Sequence, residues 1–220
     1  MTAAEPVWLR HNVIDLALHE LTAGTGGPPL LLLHGLGEES PSTLPPWTAP
    51  WDGPVYGLDF TGHGRSTVPP GGGYTPEVLM GDADAALARL GPATVVGRGL
   101  GAYVGLLIAG ARPHLVRGAV LCDGPGIIGG GEGPTATNIV TIDEHHTGRP
   151  DPWALVELSR DVRPADYATA FARQALQLSG LSWPFAVCAK LRPPWLEAVA
   201  REPGVLDVSL DEALGYYRDL

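Results

Sequence analysis

The stretch VVGRGLGAY, residues 95–103, joins an apolar run to a glycine-rich turn and then to a second apolar run. A short apolar run bounded by glycine is typical of a buried strand. The run that follows, residues 100–111, is apolar all round and long enough for a buried helix. We therefore predict a strand and a helix joined by a tight turn centred on Gly99.

Other apolar runs along the chain have the same strand pattern. They are short and nearly continuous, as in strands buried on both faces of a parallel sheet. Helical patterns separate several of them, such as residues 75–91, where Thr75 is the predicted N-cap. The alternation predicts an α/β fold: a mostly parallel, doubly wound sheet with helices on both faces. The strand candidates are residues 30–33, 55–59, 93–97, 118–123 and 185–189, preceded by an antiparallel pair at 7–11 and 13–21.

Composition narrows the classes of function. The chain has 220 residues, of which 45% are hydrophobic, so we expect one domain over residues 1–220. A net charge of −10 argues against binding to nucleic acid or to anionic membranes, since both require a basic surface. Because the sequence contains neither an apolar run of roughly 18 residues nor a signal-peptide layout, we expect a cytoplasmic protein.

Three motifs follow predicted strands, where a doubly wound sheet has its ligand crevice. They are HGLG at 34–37, DFTGHGRS at 59–66 and GRGLG at 97–101. In this order and spacing they resemble the motifs of the α/β-hydrolase superfamily, with a similarity that runs from about residue 13 to residue 123. The resemblance implies the α/β-hydrolase fold, and it places a short lid-like insertion at roughly 124–183.

By the same resemblance, the turn at 97–101 is the nucleophile elbow, and Gly99 stands where the family has its serine. The backbone N–H groups of Leu36 and Leu100 match the donors of the family's oxyanion hole. No histidine follows the last strand candidate, which begins at Gly204, although the family places its catalytic histidine there. The loop after residues 185–189 carries no carboxylate, and Asp123 lies where some members have their acid.

The serine, the histidine and the carboxylate of the usual acid loop are all missing. Their joint absence indicates a natural protein that has lost serine hydrolysis. A glycine adopts the strained elbow conformation freely, so Gly99 is the relaxed choice once no nucleophile is required. The N-myc downstream-regulated proteins, another α/β-hydrolase-like group, are similar in lacking an elbow serine. That local likeness implies only that the fold can persist without hydrolysis.

The remaining polar residues each leave two interpretations open. His34 either packs beneath the site or acts as an acid or base, and Asp123 either ends its strand in a turn or acts as a general acid or base. Arg98 either binds a carboxylate or phosphate or is a solvated arginine at the rim. Asp59 and His63 are expected to fix turn geometry. Residues 143–146, DEHH, are expected to form a solvated loop, so no metal and no cofactor is predicted.

These residues are compatible with two functions. The favoured one is a noncatalytic protein that binds a small carbonyl, carboxylate or phosphate compound, or a partner protein, through the retained crevice. The alternative is an enzyme with serine-independent chemistry, such as a lyase, an isomerase or a weak hydrolase. It would use Asp123 or His34 beside the N–H groups of Leu36 and Leu100.

Overall fold

The computed structural model describes residues 5–130 and 148–220. Within these residues, eight strands form one sheet in the order β1-β2-β4-β3-β5-β6-β7-β8. The first two are antiparallel to their neighbours, and every pair from β4–β3 to β7–β8 is parallel. The strands are β1 Val7–His11, β2 Ile14–Thr22, β3 Leu30–Leu33, β4 Val55–Leu58, β5 Ala93–Arg98, β6 Val116–Cys122, β7 Phe185–Val187 and β8 Val205–Asp207.

Along the chain, α1 to α5 fall between successive parallel strands, as the sequence pattern predicts, and α6 follows β8. Thr75 caps α1 by accepting a hydrogen bond from the backbone N–H of Val78, and Ser209 and Glu212 form a capping box at the start of α6. The helices are α1 Pro76–Leu90, α2 Leu100–Ala111, α3 Pro152–Arg160, α4 Ala165–Leu178, α5 Pro194–Ala200 and α6 Leu210–Arg218. The structure confirms the predicted fold class, a mostly parallel α/β sheet with helices on both faces.

The two faces of the sheet are covered unequally. On the first face, apolar side chains of α1 to α5 pack with those of the sheet into one large buried cluster. On the second face, a smaller cluster receives residues from α6 and from Trp47 and Trp51 in the connection between β3 and β4. That connection contains one turn of 3-10 helix, Pro46–Thr48, in place of a longer helix. The layer that covers the second face is therefore thinner than the helical layer on the first face.

Helices α3 and α4 occupy part of the predicted lid. Their buried alanines, including Ala154 and Ala168, belong to the large cluster on the first face. The start of α3 also contacts the loop after β4. The N–H of its N-cap residue, Asp151, donates to the Gly62 carbonyl oxygen at 2.9 Å. The assignment of residues 1–220 to one domain, and of 124–183 to a lid, stays a prediction. In the parts of the chain described, no helix has the length and apolar character needed to cross a membrane.

A buried carboxylate ties the edge of the sheet to α1. The Asp82 side chain has no solvent exposure. It accepts hydrogen bonds from the Thr61 N–H at 2.8 Å, the Thr61 hydroxyl at 2.9 Å and the His11 ring at 2.7 Å. These bonds connect β1, the loop after β4 and the middle of α1, so the carboxylate fixes how the first helix lies against the sheet.

We expect Asp82→Ala to lower the free energy of unfolding by about 3 kcal/mol, because it leaves a buried N–H without an acceptor and removes the partner of His11. Asp84→Ala on the same helix is the matched control. Asp84 pairs with Arg112 at a partly exposed position, so its loss should cost about 1 kcal/mol or less. Urea denaturation of both variants checks this, and equal losses would contradict the role given to Asp82.

Candidate functional site

The turn between β5 and α2 retains the sharp backbone geometry of a nucleophile elbow. Gly99 precedes the first residue of α2 with φ 60° and ψ −118°, a conformation that side-chain-bearing residues rarely adopt. A Cβ atom built on Gly99 would lie 2.0 Å from the Pro125 carbonyl oxygen and 2.6 Å from the Gly124 carbonyl carbon. Backbone strain therefore favours glycine at this position, and the nearby carbonyl groups leave no space for a Cβ atom.

The two amides predicted as oxyanion-hole donors come together in the structure. The N–H of Leu36 donates to the Pro125 carbonyl oxygen at 3.0 Å, and the N–H of Leu100 donates to the same oxygen at 2.9 Å. These distances lie within the range of about 2.7–3.1 Å that such donors keep to an oxyanion. The two N–H groups thus converge on one oxygen atom, and that oxygen is a backbone carbonyl of this chain.

Pro125 belongs to a loop, residues 123–127, that we call the plug loop. Two side chains, those of Arg163 and Trp195, form hydrogen bonds with its backbone. Arg163 donates through Nη1 to the carbonyl oxygens of Gly126 and Ile127, and Trp195 donates through Nε1 to the Ile127 carbonyl oxygen at 2.8 Å. Ile127 is itself buried. Side chains distant in sequence therefore keep the Pro125 carbonyl in place.

Arg163 is a buried cation that was not among the residues predicted for the site. Its side chain is 1% exposed, its guanidinium lies 4.7 Å from the ring centre of Tyr103, and Asp161 approaches its Nε to 3.9 Å. Burial lowers the pKa of Arg163 to about 10, so the group remains charged at neutral pH. Burial also raises the pKa of Asp161 to about 6. No sequence motif marks Arg163, because its partners are two backbone carbonyls.

Asp123 ends β6 and anchors the loop that follows β7. Its carboxylate accepts hydrogen bonds from the N–H groups of Lys190 at 2.8 Å and Leu191 at 2.9 Å, one on each oxygen. The residue is exposed. The two donors lie 67 and 68 residues further along the chain, so these bonds are long-range and differ from the local Asx-type turn raised as one alternative for Asp123.

His34 is buried beneath the crevice with both ring nitrogens hydrogen-bonded. Nε2 accepts from the Phe60 N–H at 3.1 Å, which leaves the proton on Nδ1 to donate to the Gly35 carbonyl oxygen at 2.8 Å. Burial, with the neighbouring His63 ring, lowers the pKa of His34 to about 4. The ring is therefore neutral at pH 7 and holds the loops after β3 and β4 together.

Arg98 at the rim forms an ion pair with Glu38. Its Nε and Nη2 donate to the two carboxylate oxygens of Glu38 at 2.8 and 2.9 Å, and Glu38 also accepts from the Gly35 N–H at 2.9 Å. The Arg98 side chain is 54% exposed. Its charge is thus matched by a carboxylate of the loop after β3.

The motif after β4 forms a hydrogen-bonded turn around Asp59. The carboxylate accepts from the N–H groups of Ser40 and Arg65, both at 2.8 Å, and from the His19 ring at 2.9 Å. Burial alone would raise the pKa of Asp59, but these hydrogen bonds outweigh it and hold the pKa at about 2. His63 bonds to the Gly37 N–H and the Thr61 carbonyl. These contacts agree with the turn-fixing role expected of both residues.

Residues 143–146, predicted to form a solvated loop, lie outside the described residues. Within 5–130 and 148–220, no three histidine, cysteine, aspartate or glutamate side chains gather in a way that could hold a metal ion. The expectations of no metal and no cofactor stay predictions.

Comparison with known proteins identifies the family to which this geometry belongs. A sequence model described as the alpha/beta hydrolase family matches residues 30–217. The thioesterase domain from the curacin biosynthetic pathway aligns with a TM-score of 0.61 and 16% identity over 98% of this chain and 95% of that domain, a likeness of fold alone. A comparison with curated proteins gives no match.

Two further solved structures match about half of this chain. The enol-lactonase from Burkholderia xenovorans LB400 aligns with a TM-score of 0.44 and 24% identity over 53% of this chain and 46% of that one. The hypothetical protein PA1622 from Pseudomonas aeruginosa PAO1 aligns with a TM-score of 0.48 and 31% identity over 55% and 44% of the two chains. The chain thus spans less than half the length of each of these two proteins.

The buried, neutral His34 makes stability depend on pH. Its pKa of about 4 lies below the ordinary value of 6.5, so the unfolded chain binds the proton more tightly between these values. Stability should therefore fall as the pH drops from 6.5 towards 4, by up to about 3 kcal/mol from this residue. Urea denaturation across this range should show a smaller pH slope for His34→Gln than for the wild type, and identical slopes would contradict the assignment.

Proposed function

The chain belongs to the alpha/beta hydrolase family, and we propose that it is a noncatalytic member that binds a small molecule or a partner protein. The observation that carries this proposal is the Pro125 carbonyl oxygen, which accepts hydrogen bonds from both Leu36 and Leu100. Hydrolysis in this family needs these two donors for the oxygen of the substrate carbonyl. Here they are engaged by the chain itself.

The other parts of a hydrolytic site support the same proposal. Position 99 offers no oxygen or sulfur nucleophile, and residues 208–220, which follow β8, contain no histidine that could serve as its base. A substrate carbonyl would have to displace the plug loop, and no side chain at the elbow could then attack it. Removing one oxyanion donor alone typically lowers kcat by about 10²–10³-fold. We propose that the combined losses abolish ester hydrolysis.

The alternative of serine-independent chemistry has weaker support. It requires His34 or Asp123 as an acid or base beside the N–H pair. The neutral His34 ring has one lone pair, which already accepts the Phe60 N–H, so none is left to take a proton from a substrate. The Asp123 carboxylate keeps lone pairs, but each of its oxygens anchors a backbone N–H of the loop after β7, which favours a structural role. We therefore propose structural roles for both residues. Three further expectations stay predictions: the likeness to the N-myc downstream-regulated proteins, the cytoplasmic location and the lack of nucleic-acid partners.

Restoring the serine tests the proposal. We expect Gly99→Ser to destabilise the protein by the roughly 1–3 kcal/mol of a strained backbone and by a further amount, because its Cβ collides with the Pro125 carbonyl. Gly91→Ser is the matched control: Gly91 also has a positive φ of 78°, but nothing lies within 4 Å of a Cβ built there. Urea denaturation should show the larger loss for Gly99→Ser.

The same proteins are assayed for turnover of p-nitrophenyl acetate and for labelling by a fluorophosphonate serine reagent. We expect neither from the wild type or from Gly99→Ser, since residues 208–220, which follow β8, contain no histidine to activate the hydroxyl. Ester turnover by the wild type, or turnover by Gly99→Ser that the reagent blocks, would overturn the proposal.

A further inference from the structure

A cavity of about 400 Å³ lies over β3 and β5 on the second face of the sheet. We call it the β3–β5 cavity. It exists because the connection between β3 and β4 covers this face with an extended, proline-rich segment and a single 3-10 turn. The plug loop and α2 pack in the cluster on the first face, whereas Leu32, Val96 and Trp47 of the cavity lining pack in the cluster on the second face. The cavity also reaches the strand ends, where His34 and Arg98 line it.

The floor of the cavity is formed by adjacent residues of neighbouring strands. Leu32 of β3 pairs with Val96 of β5 in the parallel register, and both side chains belong to the second-face cluster with exposures of 6% and 5%. Pro41, Pro45 and Trp47 line the cavity from the covering segment. The interior is therefore mostly apolar, with one indole ring available to pack against a ligand.

The polar groups of the cavity carry no unmatched positive charge. Arg98 is engaged by Glu38 through two hydrogen bonds, and His34 is neutral with both nitrogens hydrogen-bonded. Glu39 also lines the cavity and adds a carboxylate. Summed over these residues, the charge around the cavity is slightly negative, which disfavours an anion and favours an uncharged molecule.

We propose that the β3–β5 cavity is the ligand site of this protein and that it takes an apolar, ring-containing molecule without negative charge. This inference rests on the proposed ligand-binding function, and it assigns that function to the second face in place of the former oxyanion hole. The volume lies within the range of about 300–1,000 Å³ that is typical of small-molecule sites, and apolar walls with a few polar groups at one side are their usual composition.

Two probes of the same shape test the assignment, the uncharged 4-phenylphenol and the anion biphenyl-4-carboxylate. Each is titrated into isotope-labelled protein while the methyl signals of Leu32 and Val96 and the indole N–H signal of Trp47 are followed by NMR. We expect saturable shifts at these signals with 4-phenylphenol and an affinity for the carboxylate at least tenfold weaker. Equal affinities, tighter binding of the carboxylate, or shifts confined to other residues would overturn the assignment.

Substitutions in the β3–β5 cavity test whether 4-phenylphenol binds there. Val96→Phe should fill the floor of the cavity and weaken binding of 4-phenylphenol at least tenfold, and Trp47→Ala should weaken it by removing the partly exposed ring without inserting bulk. The matched control is Val78→Phe in a second cavity of about 410 Å³ beside His11, which should leave the affinity unchanged within twofold. Wild-type affinity in both cavity variants would overturn the assignment. That result would leave the proposed lack of catalysis untouched. The lack of catalysis is tested only by the ester assays on the wild type and Gly99→Ser.

Discussion

One carbonyl oxygen, that of Pro125, joins the three strand ends that would form the catalytic centre of a hydrolase. It accepts one hydrogen bond from the loop after β3 and one from the start of α2, while its own loop continues from β6. Two such bonds contribute roughly 1–3 kcal/mol in total, a large share of a typical domain's stability. The arrangement depends on Gly99, because any Cβ there would occupy the position of the carbonyl.

The contacts around this carbonyl connect Gly99 with side chains elsewhere in the chain. With no side chain at position 99, the plug loop can approach the elbow, and Arg163 and Trp195 hold it there from the connection between α3 and α4 and from α5. The buried guanidinium keeps its charge through two carbonyl partners, the Tyr103 ring and Asp161. At this elbow the plug loop lies against Gly99, with Pro125 exposed and Ile127 buried, and the β3–β5 cavity lies over the second face of the sheet.

The sequence predicted the fold closely and the site only in part. Hydrophobic periodicity placed the strands and helices within a few residues, because buried parallel strands and capped helices leave local patterns, as at Thr75 and Gly99. The motifs also placed Leu36 and Leu100 after neighbouring strands, and in the structure their N–H groups donate to the same oxygen. Their role as oxyanion-hole donors stays a prediction. What the sequence could not indicate was the acceptor: every residue has a backbone carbonyl, so Pro125 carries no signal of its own. The pairing of Arg98 with Glu38 bridges 60 residues and likewise depends on the tertiary fold.

The most direct test of this account is a measurement of scalar couplings across hydrogen bonds in labelled protein, from the amide nitrogens of Leu36 and Leu100 to the carbonyl carbon of Pro125. The account predicts that both amides couple to this one carbon and that both exchange slowly with solvent. Fast exchange of the two amides with no coupling to Pro125 would show an open oxyanion hole and contradict the central claim.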